Sequence, residues 1–162
     1  MDALFYCCNC CAMTTIKVIE KDQTFNVKGR EITLRAPVRV CNECGEEILD
    51  RDLDNNTLNR FYEEYRRLEN LLQPDEIKNI RLKYSLSQSS FAKLLGFGEK
   101  TITRYENGAI QDVCHDNLIR LMNSIDAFSE LWDKRKKCLS KKEQHNVESI
   151  INKHKDAKRM SE

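Results

Sequence analysis

At 162 residues, with 40% apolar and 33% charged side chains, the chain is long enough for one ordinary domain or two small ones and has the composition of a globular protein. No uninterrupted apolar run approaches the length of a membrane span, and the opening "MDALFYCC" has neither the basic start nor the apolar stretch of a signal peptide. The net charge of +1 hides an asymmetry: residues 1–72 carry −3, residues 73–133 carry −2 and residues 134–162 carry +6, so the positive excess belongs to the tail.

The first element is a cysteine cluster, "YCCNCC", with Cys7, Cys8, Cys10 and Cys11 inside five positions. With no leader and no span expected, these thiols belong in a reducing cytoplasm, where clustered cysteines point to metal or redox chemistry rather than disulfides. A second pair, Cys41 and Cys44 in "VCNECGEE", gives C-x-x-C, 30 residues, C-x-x-C. Four thiolates in two such turns can close a tetrahedral zinc site with no open position, which makes the expected metal structural. Spacing alone leaves the first pair open, since Cys7/Cys10 and Cys8/Cys11 are both C-x-x-C. Gly45 supplies the permissive backbone such turns favour.

Between the pairs, "TTIKVIE", "TFNVKGREITLRA" and "VRV" are rich in β-branched residues, with the alternation broken at Lys28-Gly29. They predict a three-stranded antiparallel sheet. The acidic run "EEILDRDLD", Glu46 to Asp54, reads as a solvated face. From Leu53 the period becomes helical: Leu58, Phe61, Tyr62, Tyr65, Leu68 and Leu72 form one stripe. That helix is expected to stop near Gln73, because Pro74 opposes its continuation and suits the first turn of a new helix, with Asp75 and Glu76 facing the positive end of the dipole. Everything beyond reads as helical.

The stretch "SQSSFAKLLGFGEKTITRYENG", residues 87–108, predicts a helix-turn-helix. Ser87 is an N-cap, Phe91, Leu94 and Leu95 form a buried stripe, and Ala92 permits a close crossing. Gly96 turns the chain, and Ile102 and Tyr105 face inward from the second helix. The outward face then presents Lys100, Thr101, Thr103 and Arg104, with Gln88 at the start of the preceding helix, a set suited to major-groove edges and phosphates. Arg104 has an alternative as a surface partner of Glu106 or Glu99. The tail, "DKRKKCLSKKEQ" and a helix carrying Val147, Ile150, Ile151 and His154, is either a docked helix or a basic arm making sequence-blind phosphate contacts. Cys114 and Cys138 read as small apolar residues. His115, His145 and His154 are scattered, with no nucleophile and base set by a motif, so no enzyme is expected; a thiol oxidoreductase would need a βαβ context that is missing.

Up to about Trp132 the chain resembles the MqsA/YgiT-type antitoxins. The resemblance rests on the four-cysteine module with "VCxxCGEE", the amphipathic "LNRFYEEYRRLENLLQPDEIKNIR" and the XRE-type "LSQSSFAKLLGFGEKTITRYENGAIQD". It selects Cys7 and Cys10, through the family's C-x-N-C knuckle, as partners of Cys41 and Cys44 around structural zinc. It implies an α+β protein, a small zinc-bound antiparallel β-sheet module with its connecting helix (1–72) followed by an all-α, lambda-repressor-like helix-turn-helix domain (73–133). The basic tail (134–162) lies outside it. The family further implies a homodimer that binds a double-stranded DNA operator and silences a partner toxin through the zinc module. A stand-alone helix-turn-helix regulator with a structural zinc module is the alternative, distinguished by the absence of a stable partner.

Overall fold

The computed structural model describes residues 4–159, and side chains as far as residue 156. The chain divides after Tyr65 into two compact units, an antiparallel β module and a helical domain, and so has the α+β class expected.

In the first unit, β1 (Phe5–Cys7) pairs with β2 (Ala12–Thr14), the four residues from Cys8 to Cys11 forming the turn. β3 (Ile16–Val27) and β4 (Arg30–Cys41) then form a long hairpin in unbroken register from Ile16↔Cys41 to Val27↔Arg30. This corrects the three-stranded sheet expected from sequence: the described residues contain two separate two-stranded sheets. The reason is turn chemistry. Only Lys28-Gly29, with φ of 50° and 88°, supplies the two positive dihedrals of a tight hairpin loop, and Asn26 Oδ1 accepts from Gly29 N–H at 2.8 Å. Lys21, Asp22 and Gln23, without a glycine or proline among them, keep the ladder going opposite Ala36, Arg35 and Leu34, so the two expected strands are one. Pro37 likewise sits within β4 opposite Glu20, tolerated because a two-stranded ribbon leaves an edge where no N–H is needed.

One face of β4 alternates as a buried strand should, with Ile32, Ala36, Val38 and Val40 all buried. Against this unit lies α1 (Arg51–Leu68), where fully buried Phe61 meets the Phe25 ring at 4.8 Å between centroids. Asp50 opens the helix by accepting from the N–H groups of Asp52 and Leu53, and it also pairs with Arg39. Lys21 reaches Glu47 at 2.5 Å, so part of the acidic run is structural rather than merely solvated. The helix ends at Leu68, not near Gln73. Asn70 adopts φ of 52°, and Leu71 N–H bonds to Arg66 C=O while Asn70 N–H bonds to Arg67 C=O, a Schellman closure that stops the helix before Pro74 can.

The second unit contains α2 (Pro74–Leu82), α3 (Gln88–Leu95), α4 (Thr101–Glu106), α5 (Val113–Leu121), α6 (Ile125–Arg135), a 3₁₀ turn (Lys136–Cys138) and α7 (Lys141–Arg159). Its core runs from Leu72 to Ile151 and includes Tyr84, Phe91, Leu94, Ile102, Ile119, Phe128 and Trp132. Tyr84 stacks on Phe128 and donates to Met122 C=O at 2.6 Å. The tail is no loose arm over its described length: Leu139, Val147 and Ile151 are buried in this core. Ser140 and Glu143 cap α7 reciprocally. Among the described residues no helix is long and apolar enough to cross a membrane.

Candidate functional site

β1 delivers Cys7 and the following turn delivers Cys10, while β4 delivers Cys41 and the turn after it Cys44. The long hairpin brings the two pairs together: all four Sγ atoms lie within 4.8 Å of one another, with Cys7 to Cys44 at 3.5 Å and Cys10 to Cys41 at 3.9 Å. A tetrahedral ion with sulfur ligands at about 2.3 Å needs sulfurs about 3.8 Å apart, so the cluster fits such an ion. Two left-handed residues shape the turns, Gly45 at φ of 75° and Cys11 at 52°. Cys8 and Cys11 are exposed and stand outside the cluster.

The electrostatics describe a donor set short of positive charge. A hydrogen bond from Thr14 Oγ1, 3.3 Å away, is the main influence bringing the Cys41 thiol down to about 6. The Asn9 side chain leads in lowering Cys44. Cys10 is pushed up, first by its contact with Cys44 and then by desolvation. For Cys7 a backbone hydrogen bond at Cys10 pulls downward, but desolvation and the Cys44 contact outweigh it and the thiol rises. Four adjacent sulfurs cannot all be anionic without a cation among them.

The second candidate is the pair α3 and α4. Ser87 caps α3 by accepting from Ser90 N–H at 3.1 Å, and Gly96 closes it at φ of 79°, with Phe97 N–H bonded to Ala92 C=O at 2.9 Å. Phe91, Ala92, Leu94, Leu95, Ile102 and Tyr105 are all buried. On α4, Lys100 and Arg104 are exposed and Thr101 half-buried; Arg104 forms no bridge with Glu106 or Glu99 among the described residues. Glu106 instead takes a bidentate pair from Arg81 on α2, at 2.6 and 2.9 Å, and Arg81 also donates to Leu86 C=O. Gln88 Nε2 donates to Glu106 at 2.7 Å, and Thr103 Oγ1 donates to Gln88 Oε1 at 2.9 Å. Sequence reasoning missed Arg81; the signal was a charge on the buried stripe of α2 beside Ile77 and Ile80.

Comparison with known proteins places these features in a family. The family model described as "Antitoxin component of bacterial toxin-antitoxin system, MqsA" matches residues 6–136. Antitoxin MqsA of Escherichia coli (strain K12) is 27% identical over 114 residues, covering 68% of this chain and 85% of that relative. The match takes in both cysteine pairs, the connecting helix and the helices as far as α6, and on that basis the chain belongs to the MqsA family, the antitoxin component of bacterial toxin-antitoxin systems.

Proposed function

We propose that the chain neutralises its toxin through the cysteine module and represses its own operon by sequence-specific binding of double-stranded DNA through α4. It acts by binding, without catalysing a reaction. Cys7, Cys10, Cys41 and Cys44 hold a structural Zn²⁺, which supplies a cross-link between the two hairpins and with it folding free energy. The residues around the cluster do the rest: Thr14 and the N–H of Glu43 orient Cys41, and the long hairpin carries exposed Val18, Ile19 and Phe25. A cavity of about 560 Å³, lined in part by Lys21, Phe25 and Leu49, opens on the same unit. Leu49 is 92% exposed. Exposed apolar side chains in one small module favour a protein partner over a small ligand.

For DNA, the observation that carries the reading is the division of α4: Ile102 and Tyr105 are buried while Lys100 and Arg104 are free at the surface. With Thr101, these reach base edges, and Gln88 and Thr103, bonded to each other, lie at the margin beside the phosphates. Reading a palindrome requires two such helices about 34 Å apart, hence a homodimer in the cytoplasm. Arg104→Ala or Lys100→Ala is expected to weaken operator binding by about 1–3 kcal/mol without changing the melting temperature. Gel-shift titration on the region upstream of the gene checks this, and unchanged affinity in both variants would remove α4 as the reading element.

A further inference from the structure

Six cations and no acid occupy residues 134–142, "KRKKCLSKK", the corner formed by the end of α6, the 3₁₀ turn and the first two residues of α7. The corner is fastened to α3 at two points. Arg135 donates to Lys93 C=O at 3.1 Å and lies over Gly96, and Ser90 on α3 donates to Glu143 in the first turn of α7.

These attachments fix which side of α3 the corner occupies. At about 3.6 residues per turn, Gln88 and Ser90 fall on opposite flanks of α3, with Ser89 and Lys93 on the solvent face between them. Gln88 is the residue bonded to α4; Ser90 is the residue bonded to α7. The surface therefore reads, in order, α4, the outer face of α3, and the basic corner.

Fold stability accounts for Arg135 and Lys136, which are bonded within the domain, but not for Lys137, Lys141 and Lys142. Lys141 and Lys142 stand in the first turn of α7, where the helix dipole disfavours cations. Lys137, Lys141 and Lys142 are exposed and have no acidic partner among the described residues. The acids flanking the corner have other partners, Asp133 and Glu148 in Lys136 and Glu143 in Ser90 and Ser140. The family match ends at residue 136, so most of the corner lies past it.

We propose that this corner is a second DNA contact, a phosphate clamp that grips the backbone beyond α3 while α4 occupies the groove. The inference rests on the reading of α4 as the groove element. When a helix pair docks in this way, the first helix crosses the backbone, so cations on its far flank meet phosphates outside the sequence that α4 reads. The clamp adds affinity without sequence preference.

The test replaces Lys137, Lys141 and Lys142 together by glutamine in the full chain, with the triple arginine variant as control for charge. Binding is measured across a salt series on the duplex upstream of the gene and on an unrelated duplex of equal length, beside Arg104→Ala. Each lost phosphate contact flattens the slope of log affinity against log salt by about 0.9. The glutamine variant is expected to flatten it by about 2 to 3, to weaken both duplexes by the same factor and to leave melting unchanged, while the arginine variant keeps the original slope. An unchanged slope in the glutamine variant, with discrimination between duplexes lost in Arg104→Ala, overturns the clamp alone. If neither variant alters binding, the reading of α4 fails with it.

Discussion

Cys41→Ser is expected to unfold the β module and abolish toxin binding while the helical domain still melts cooperatively. The first unit buries little: its apolar core rests on side chains such as Val27, Ile32, Ala36, Val38, Val40 and Phe61. Burying one such side chain contributes roughly 1.5–3 kcal/mol, and ordering each residue costs about 1.5 kcal/mol. Structural zinc binding is worth about 10–16 kcal/mol, enough to decide whether such a module folds. The helical domain has its own core, which among the described residues runs from Leu72 to Ile151. The wild-type protein should show two thermal transitions, one of them removed by the substitution or by a chelator. Loss of both transitions together, or co-purification of the toxin with the variant, contradicts this.

Glu106→Ala has the second largest expected effect, a loss of about 3–5 kcal/mol in the helical domain, because it leaves Arg81 buried without its partner. The side chains are 9% and 4% exposed for Arg81 and Glu106. Replacing both, as Arg81→Met with Glu106→Leu, should cost far less or even stabilise, since an apolar pair avoids desolvating two ions. Operator discrimination should still fall in the double variant, as Gln88 loses the carboxylate that aligns it with Thr103 on α4. Urea midpoints and gel shifts on both variants check the two halves of this expectation. The pH dependence has a definite sign. Burial works to raise the Glu106 carboxyl, but hydrogen bonds from Arg81 and Gln88 outweigh it and hold the group below its ordinary 4.5. Its contribution is therefore complete above 4.5 and lost as the pH falls through the lowered value; Glu106→Gln should flatten that acid limb.

Much of this architecture was legible in the sequence because local chemistry and tertiary packing agree there. Ser87, Gly96 and the Phe91, Leu94, Ile102 spacing define α3 and α4 before any contact is known, and the two C-x-x-C pairs define the cluster. The strand count was not legible: Lys21, Asp22 and Gln23 are weak β formers and read as a break, yet they stay paired with Ala36, Arg35 and Leu34, and only the turn at Lys28-Gly29 carries a conformational signature. The end of α1 was hidden because Asn70, unlike glycine, announces a left-handed residue weakly. Pairings between distant residues, Arg81 with Glu106 or Ser90 with Glu143, depend on how helices dock and have no local trace. The choice of Cys7 and Cys10 over Cys8 and Cys11 came from family resemblance, since both spacings are the same.

The proposed role of the β module in toxin binding depends on the cysteine cluster holding a metal. Elemental analysis of protein purified without added metal or chelator, combined with thiol counting in the native state, addresses it directly. One zinc per chain, with the four cysteines outside the cluster, Cys8, Cys11, Cys114 and Cys138, reacting at once and the four cluster thiols only after chelation, is the predicted result. Protein free of transition metal, with all its thiols reacting immediately in a folded module, would contradict the account.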